Sequence, residues 1–161
     1  KRNEKCGDGV TRRARKKVSS KRYRSSIMPA EDFLGKKYKL SNSENFDDFM
    51  KALGVSLVTR KMGASVNPVV ELTENDGTYI LKTNSPFKSS EIKFKLGEEF
   101  EEETPDGRKV KSVCTLEGNK LLHVQKGEKE TTIEREFTPT EMKAVMKVDD
   151  IVCTRVYTIQ N

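Results

Sequence analysis

Residues 108–137 read RKVKSVCTLEGNKLLHVQKGEKETTIEREF, and this stretch decides the fold class. It holds three short runs of strand-forming residues, at 108–116, 120–126 and 130–137. The turn signals Glu117-Gly118-Asn119 and Lys126-Gly127-Glu128 separate them. Short turns of this composition join neighbouring antiparallel strands. The stretch therefore predicts a β-meander.

The same pattern continues on both sides of this stretch. Further candidate strands lie near 35–42, 67–74, 78–85, 89–95, 98–104, 140–148 and 151–159, which makes ten in all. A meander of this size avoids exposed edges by closing into a barrel or flattened clam, and more than about eight strands enclose room for one small ligand. We expect an all-β, ten-stranded antiparallel up-and-down barrel.

One helical interruption lies between the first and second predicted strands. Its apolar residues fall at the spacing of one helix face and are Phe46, Phe49, Met50 and Leu53. Ser43 or Asn45 is suited to cap the start of this helix, and Gly54 to end it.

A second short helix follows, with Val55, Val58 and Met62 on one side, before Asn67-Pro68 returns the chain to strand. Two helices inserted into a meander predict a helix-turn-helix lid on the barrel. The alternative is that the pair closes the barrel end as ordinary core.

The length and composition fit one small domain. The 161 residues suffice for a single core, and no run is long and apolar enough to cross a bilayer. The three cysteines Cys6, Cys114 and Cys153 are an odd number without metal-ligand spacing. We therefore expect a reducing, cytoplasmic setting, no metal site and no cofactor.

The positive charge of the chain belongs to its first thirty residues. Residues 1–30 hold eleven Lys or Arg against Glu4 and Asp8, a net +9, whereas residues 31–161 hold 20 basic and 23 acidic groups, a net −3. We expect residues 1–30 to be a disordered basic extension and residues 31–161 to form the barrel domain.

Two arginines fall among apolar residues of predicted strands. Alternation puts Arg135 on one face with Ile133 and Phe137, and puts Arg155 on one face with Cys153 and Tyr157. An arginine cannot give up its proton, and burying its charge costs several kcal/mol unless an anion meets it.

The two arginines and the hydroxyl of Tyr157 therefore predict a receptor for one carboxylate. The alternative is that the arginines face solvent and that Val152 and Val156 supply the buried side of the last strand.

No catalytic constellation is indicated. His123 is the single histidine, and we expect it on a strand surface. The run Glu98, Glu99, Glu101, Glu102 and Glu103 is typical of a solvated strand and turn. Cys153 is expected to be a packed thiol, beside Arg155. The prediction is a binding protein and not an enzyme.

Several separated motifs resemble the intracellular fatty acid-binding proteins, a lipocalin-like, calycin-type family. The resemblance begins with GKKYKLSNSENFDDFMKALGV at 35–55 and continues through NSPFK at 84–88, FKLGEEF at 94–100, DGRKVKS at 106–112 and VCTRVY at 152–157. It covers roughly residues 31–160 and implies a ten-stranded clam capped by a helix-turn-helix. It implies a carrier that holds one long-chain fatty acid.

The resemblance also implies which residues bind. Members that hold acidic lipids use an Arg-x-Tyr pair in the last strand and an Arg two strands earlier, which are here Arg155, Tyr157 and Arg135. The cavity residues would be Phe46, Phe49, Met50, Val55, Thr59, Pro68 and Thr83. Phe87 would stand at the portal, near Lys88 and the Pro105-Asp106 turn.

Other readings stay open at this point. Retinoic acid is the closest alternative ligand, because its carriers share the same arginine and tyrosine positions. The basic extension also suits a nuclear protein or non-specific nucleic-acid binding, and Lys51, Arg60 and Lys61 match positions that serve nuclear import in some relatives. Transient docking of a monomer to anionic membranes is a third reading.

Overall fold

A computed structural model describes residues 29–161 of the chain. A short 3-10 turn, Ala30–Asp32, leads into the first strand. The strands are β1 Lys37–Glu44, β2 Val69–Asn75, β3 Thr78–Asn84, β4 Ser90–Phe94, β5 Phe100–Glu103, β6 Lys109–Glu117, β7 Lys120–Lys126, β8 Thr131–Phe137, β9 Glu141–Val148 and β10 Ile151–Ile159. Two helices lie between β1 and β2, α1 Phe46–Ala52 and α2 Leu57–Ala64.

The ten strands form one nearly closed antiparallel barrel. The order is β4-β3-β2-β1-β10-β9-β8-β7-β6-β5, so consecutive strands pair except β4 with β5, and β1 also pairs with β10. This confirms the predicted up-and-down barrel with two helices inserted after its first strand. Every predicted strand begins and ends within about two residues of an observed one.

Side chains alternate between the barrel interior and its outer surface. One end is closed by stacked aromatic rings, where the ring centres of Phe33 and Phe137 lie 4.6 Å apart and Tyr38 meets Phe137 edge-on. All three side chains are fully buried. This end is therefore solid core, which leaves the space for a ligand toward the helices.

Helix α1 covers the other end of the barrel. Phe49 and Met50 are buried and pack in one cluster with Val148 and Cys153. The helix ends before Gly54, whose φ of 79° suits glycine. The expected side-chain cap is wrong: Asn45 occupies the cap position with a φ of 59°, but its side-chain amide donates to the carbonyl of Val152 on β10.

Helix α2 contributes no buried side chain. Its start is capped by Ser56, whose hydroxyl accepts from the backbone N–H of Thr59. Val58 is 69% exposed and Met62 is 41% exposed, so these two residues do not join Val55 on a packed side. The helix therefore presents apolar side chains to solvent beside the cavity.

No helix within residues 29–161 is long and apolar enough to span a membrane. The predicted basic extension lies outside the described residues except for Pro29 and Ala30, and the division of the chain at residue 30 stays a prediction.

Candidate functional site

A cavity lies between the inner face of the barrel and the two helices. The volume open to the centres of water molecules is about 220 Å³, whereas one water needs only about 10–15 Å³ by that measure. The space therefore holds many waters, and filling it with an acyl chain would return them to solvent.

All thirteen residues predicted from the sequence line this one cavity. They are Phe46, Phe49, Met50, Val55, Thr59, Pro68, Thr83, Phe87, Lys88, Asp106, Arg135, Arg155 and Tyr157. Phe87 and Lys88 are exposed, which marks where the cavity reaches the surface, close to Thr59 of α2. Their common position is a geometric fact, and their part in binding stays a prediction.

Arg155 points into the barrel. Its side chain is buried, with the residue 7% exposed, while Val152 on the same strand is 45% exposed. The alternative in which Val152 supplies the buried face is therefore wrong. The guanidinium carbon lies 3.8 Å from the ring centre of Phe46 and 5.8 Å from that of Tyr157, and Nε makes no hydrogen bond within the described part of the chain.

Arg135 and Arg155 flank one small residue. Both are paired in register with Ala144, Arg135 from β8 and Arg155 from β10. Strands lie about 4.8 Å apart, so the two backbones are about 10 Å from each other. The methyl side chain of Ala144, which also lines the cavity, leaves the space between the guanidinium groups open.

Two expectations about the surface are wrong. His123 is 1% exposed and lines the cavity, and Glu102 is also buried, whereas the other four glutamates of its run are exposed. Phe100, Glu102 and Thr104 alternate inward along β5, as Leu121, His123 and Gln125 do along β7. Sequence reasoning missed this polar cluster, although the alternation of Phe100 and Glu102 was the signal for it.

The buried polar groups have shifted pKa values. Burial would raise the pKa of Glu102, but hydrogen bonds from His123, Ser112 and Gln125 outweigh it and lower that pKa. Burial lowers the pKa of His123, and the nearby charge of Arg135 acts in the same direction against the hydrogen bond to Glu102. Burial also lowers the pKa of Arg135. These directions favour an ionised Glu102 and a neutral His123.

The mouth of the cavity is held by two contacts between loops. Lys88 Nζ donates to the carbonyl of Pro105 at 2.9 Å, which joins the β3–β4 loop to the β5–β6 turn. Arg108 Nε lies 2.6 Å from an Asp106 carboxylate oxygen. Burial would raise the pKa of Asp106, but hydrogen bonds from Arg108 and Thr104 outweigh it and lower that pKa.

The two cysteines of the described part are buried and free. Burial raises the pKa of the Cys153 thiol to about 11 and that of Cys114 to about 12. Cys153 packs under α1 with Phe49 and Val55, as expected for a packed thiol. No cluster of His, Cys, Asp or Glu suited to a metal ion occurs among residues 29–161.

Known proteins share both this sequence and this architecture. The chain is 48% identical over 132 residues to the muscle fatty acid-binding protein of Schistocerca gregaria, covering 81% of this chain and 98% of the relative. The crystal structure of a fatty acid-binding protein from Drosophila melanogaster brain has a TM-score of 0.76 at 60% identity, covering 78% of this chain and 98% of that one.

A Schistosoma mansoni fatty acid-binding protein solved in complex with arachidonic acid has a TM-score of 0.78 at 42% identity, covering 81% and 97% of the two chains. Residues 34–160 match the family model described as lipocalin / cytosolic fatty-acid binding protein family. The barrel, its helical cap and these relatives together place the chain in the lipocalin / cytosolic fatty-acid binding protein family.

Proposed function

We propose that this protein carries one long-chain fatty acid inside its barrel, with the carboxylate held by Arg135, Arg155 and Tyr157. The family consists of fatty acid-binding and transport proteins that act without cofactors and are not enzymes. One observation carries the head-group assignment: Arg155 is a buried cation whose Nε has no hydrogen-bond partner in the described residues. A ligand carboxylate would supply the missing acceptor.

The two ends of the ligand would contribute differently. Each charge-assisted hydrogen bond to the carboxylate contributes roughly 1.5–3 kcal/mol. Withdrawing the acyl chain from water contributes up to about 0.8 kcal/mol per methylene, less the chain freedom that is lost. Affinity therefore comes mostly from the chain, and selection for an acid over an alcohol comes from the arginines.

The test compares oleate with oleyl alcohol. We expect the double variant Arg135→Gln and Arg155→Gln to weaken oleate binding far more than oleyl alcohol binding, as measured by titration calorimetry. Lys147→Gln is the matched control, because it removes a positive charge from an exposed position on β9. Equal losses for both ligands would remove these arginines from the carboxylate site.

A fatty acid is favoured over retinoic acid by the relatives. Their names specify fatty acids, and one was solved with arachidonic acid. Native mass spectrometry of protein purified from cells, followed by lipid extraction, separates the two ligands. A one-to-one adduct with a long-chain fatty acid is the expected result, and a retinoid adduct would decide for the alternative.

Contact with anionic membranes during ligand transfer is part of the proposal. Four exposed apolar side chains lie at or near the cavity mouth, Leu57, Val58, Met62 and Phe87. Lys61 on α2 adds a cation there, and one such charge contributes about 1 kcal/mol near an anionic surface. Faster transfer to vesicles rich in phosphatidylserine, reduced in Val58→Glu, is expected, whereas rates independent of anionic lipid would contradict it.

A further inference from the structure

Four polar residues form an unexpected cluster on the inner wall opposite the helices. Glu102 of β5, Ser112 of β6, and His123 and Gln125 of β7 are each at least nine-tenths buried. Glu102, His123 and Gln125 line the same cavity as Arg135. Buried polar groups are costly unless they are paired, so the pattern of pairing indicates what the cluster does.

The carboxylate of Glu102 accepts three hydrogen bonds. Ser112 Oγ donates to Oε2 at 2.7 Å, His123 Nε2 lies 2.8 Å from the same oxygen, and Gln125 Nε2 donates to Oε1 at 3.2 Å. An ionised carboxylate only accepts hydrogen bonds. The ring nitrogen Nε2 of His123 must therefore carry a proton.

The other ring nitrogen of His123 faces a cation. Nδ1 lies 3.4 Å from Nη1 of Arg135. A guanidinium only donates, so Nδ1 must offer a lone pair and His123 must be the neutral Nε2–H tautomer. Burial and the charge of Arg135 both lower the pKa of His123, which agrees with this protonation state.

We propose that Glu102 and His123 are positioning residues for the carboxylate site: Glu102 selects the tautomer of His123, and His123 holds the guanidinium of Arg135 in its binding orientation. This proposal rests on the proposed function. One N–H of Arg135 is committed to His123, which leaves the others free to meet a ligand. Orienting the group before binding lowers the ordering cost of binding.

Substitutions at His123 separate positioning from packing. His123→Leu removes both hydrogen bonds, whereas His123→Gln retains one donor and one acceptor. Thr131→Val is the matched control, because Thr131 is a fully buried residue paired with Gln125 and its hydroxyl makes no hydrogen bond in the described part.

Oleate and oleyl alcohol affinities of the full chain give the main measurement. We expect His123→Leu to weaken oleate about tenfold and oleyl alcohol less than about twofold, the size of one hydrogen bond to a charged group. His123→Gln should recover most of the oleate loss, and Thr131→Val should match the wild type. An equal loss for both ligands in His123→Leu would overturn positioning in favour of packing.

A spectroscopic signature tests the first link independently of binding. Nitrogen-15 chemical shifts of the imidazole should show the neutral Nε2–H tautomer of His123 at pH 7, and Glu102→Gln should admit the Nδ1–H tautomer, because a glutamine can donate to Nε2. An imidazolium or an Nδ1–H tautomer in the wild type would overturn the proposal, even if His123→Leu fails to fold.

The outcomes also separate this proposal from the function on which it rests. If Arg135→Gln weakens oleate selectively while a folded His123→Leu binds like the wild type, the carrier site stands and the positioning role falls. If Arg135→Gln leaves oleate binding unchanged, Arg135 drops out of the carboxylate site and the positioning role falls with it.

Discussion

The guanidinium carbon of Arg155 lies 3.8 Å from the ring centre of Phe46, so a residue at the start of α1 rests on a buried cation of β10. An aromatic face attracts a cation, and more strongly where water is excluded. In the ligand-free protein, this ring faces the positive charge that a carboxylate is proposed to meet. Head-group binding and seating of the lid helix thus involve the same side chain.

Replacing Phe46 with Leu should reveal this contact. We expect the pair to contribute about 0.5–2 kcal/mol to the free energy of unfolding of the ligand-free protein. A double-mutant cycle of Phe46→Leu with Arg155→Met, measured by urea denaturation, isolates the pairwise part. Phe49→Leu in place of Phe46→Leu is the control, because Phe49 is buried on the same helix against Val148 and Cys153. A coupling near zero would contradict the prediction.

Ala144→Leu should block the carboxylate site. Its side chain would extend into the gap between Arg135 and Arg155, and we expect oleate affinity to fall about tenfold or more, the scale of an overpacked site. Ala144→Ser keeps the gap and should bind nearly as the wild type does. Thermal unfolding by circular dichroism verifies that the barrel is intact, and normal oleate binding by a folded Ala144→Leu would refute the geometry.

Stability should depend on pH through His123 and Glu102. Both groups have pKa values lowered in the folded protein, so the unfolded chain takes up their protons first as the pH falls. We expect the free energy of unfolding to decrease below the ordinary histidine pKa of 6.5, and again below the ordinary glutamate pKa of 4.5. Urea denaturation at a series of pH values measures this.

His123→Gln should remove the upper part of that pH dependence. His123 is the only histidine of the chain, so no other imidazole titrates in this range. The lower part, which belongs to Glu102 and other carboxylates, should persist in the variant. The same slope between pH 7 and 5 in wild type and variant would rule out a buried neutral His123.

Lys88→Met should loosen the cavity mouth. The hydrogen bond from Lys88 to the carbonyl of Pro105 is exposed, and its loss should accelerate both uptake and release of oleate about two- to fivefold while the affinity stays nearly constant. Stopped-flow fluorescence with a labelled fatty acid measures both rates. Lys95→Met, in the β4–β5 turn, is the control, and unchanged rates in Lys88→Met would show that this contact does not limit passage.

Deleting residues 1–27 should leave lipid binding intact. Every residue that lines the cavity lies between Phe46 and Tyr157, so oleate affinity and thermal stability should match those of the full chain. Binding of RNA or DNA at low salt should be lost, because eleven basic residues lie within the first thirty. Loss of oleate binding on deletion would assign part of the site to the extension.

Much of the architecture was predictable because its signals are local. Turn residues and alternating side chains located all ten strands to within about two residues, and the spacing of Phe46, Phe49 and Met50 identified α1. The inward direction of Arg155 followed from its apolar neighbours on the same strand. The separated motifs indicated the family, and the family model and the relatives confirm it.

Burial of Glu102 and His123 was not predictable in this way, because their partners lie on other strands. Glu102 is stabilised by Ser112, His123 and Gln125, which are 10 to 23 residues away in sequence. A charged residue in an acidic run is normally solvated, and only this set of donors makes its burial favourable.

The sequence by itself determined the barrel, its inserted helices and the two arginines, since each depends on residues that are neighbours along one strand, turn or helix. The tertiary structure decided what meets these arginines: Ala144 between them, Phe46 on Arg155, and His123 against Arg135. It also decided that α2 exposes Val58 and Met62. These contacts depend on strand register and on how the helices sit on the barrel, and neither is encoded in the pattern of a single segment.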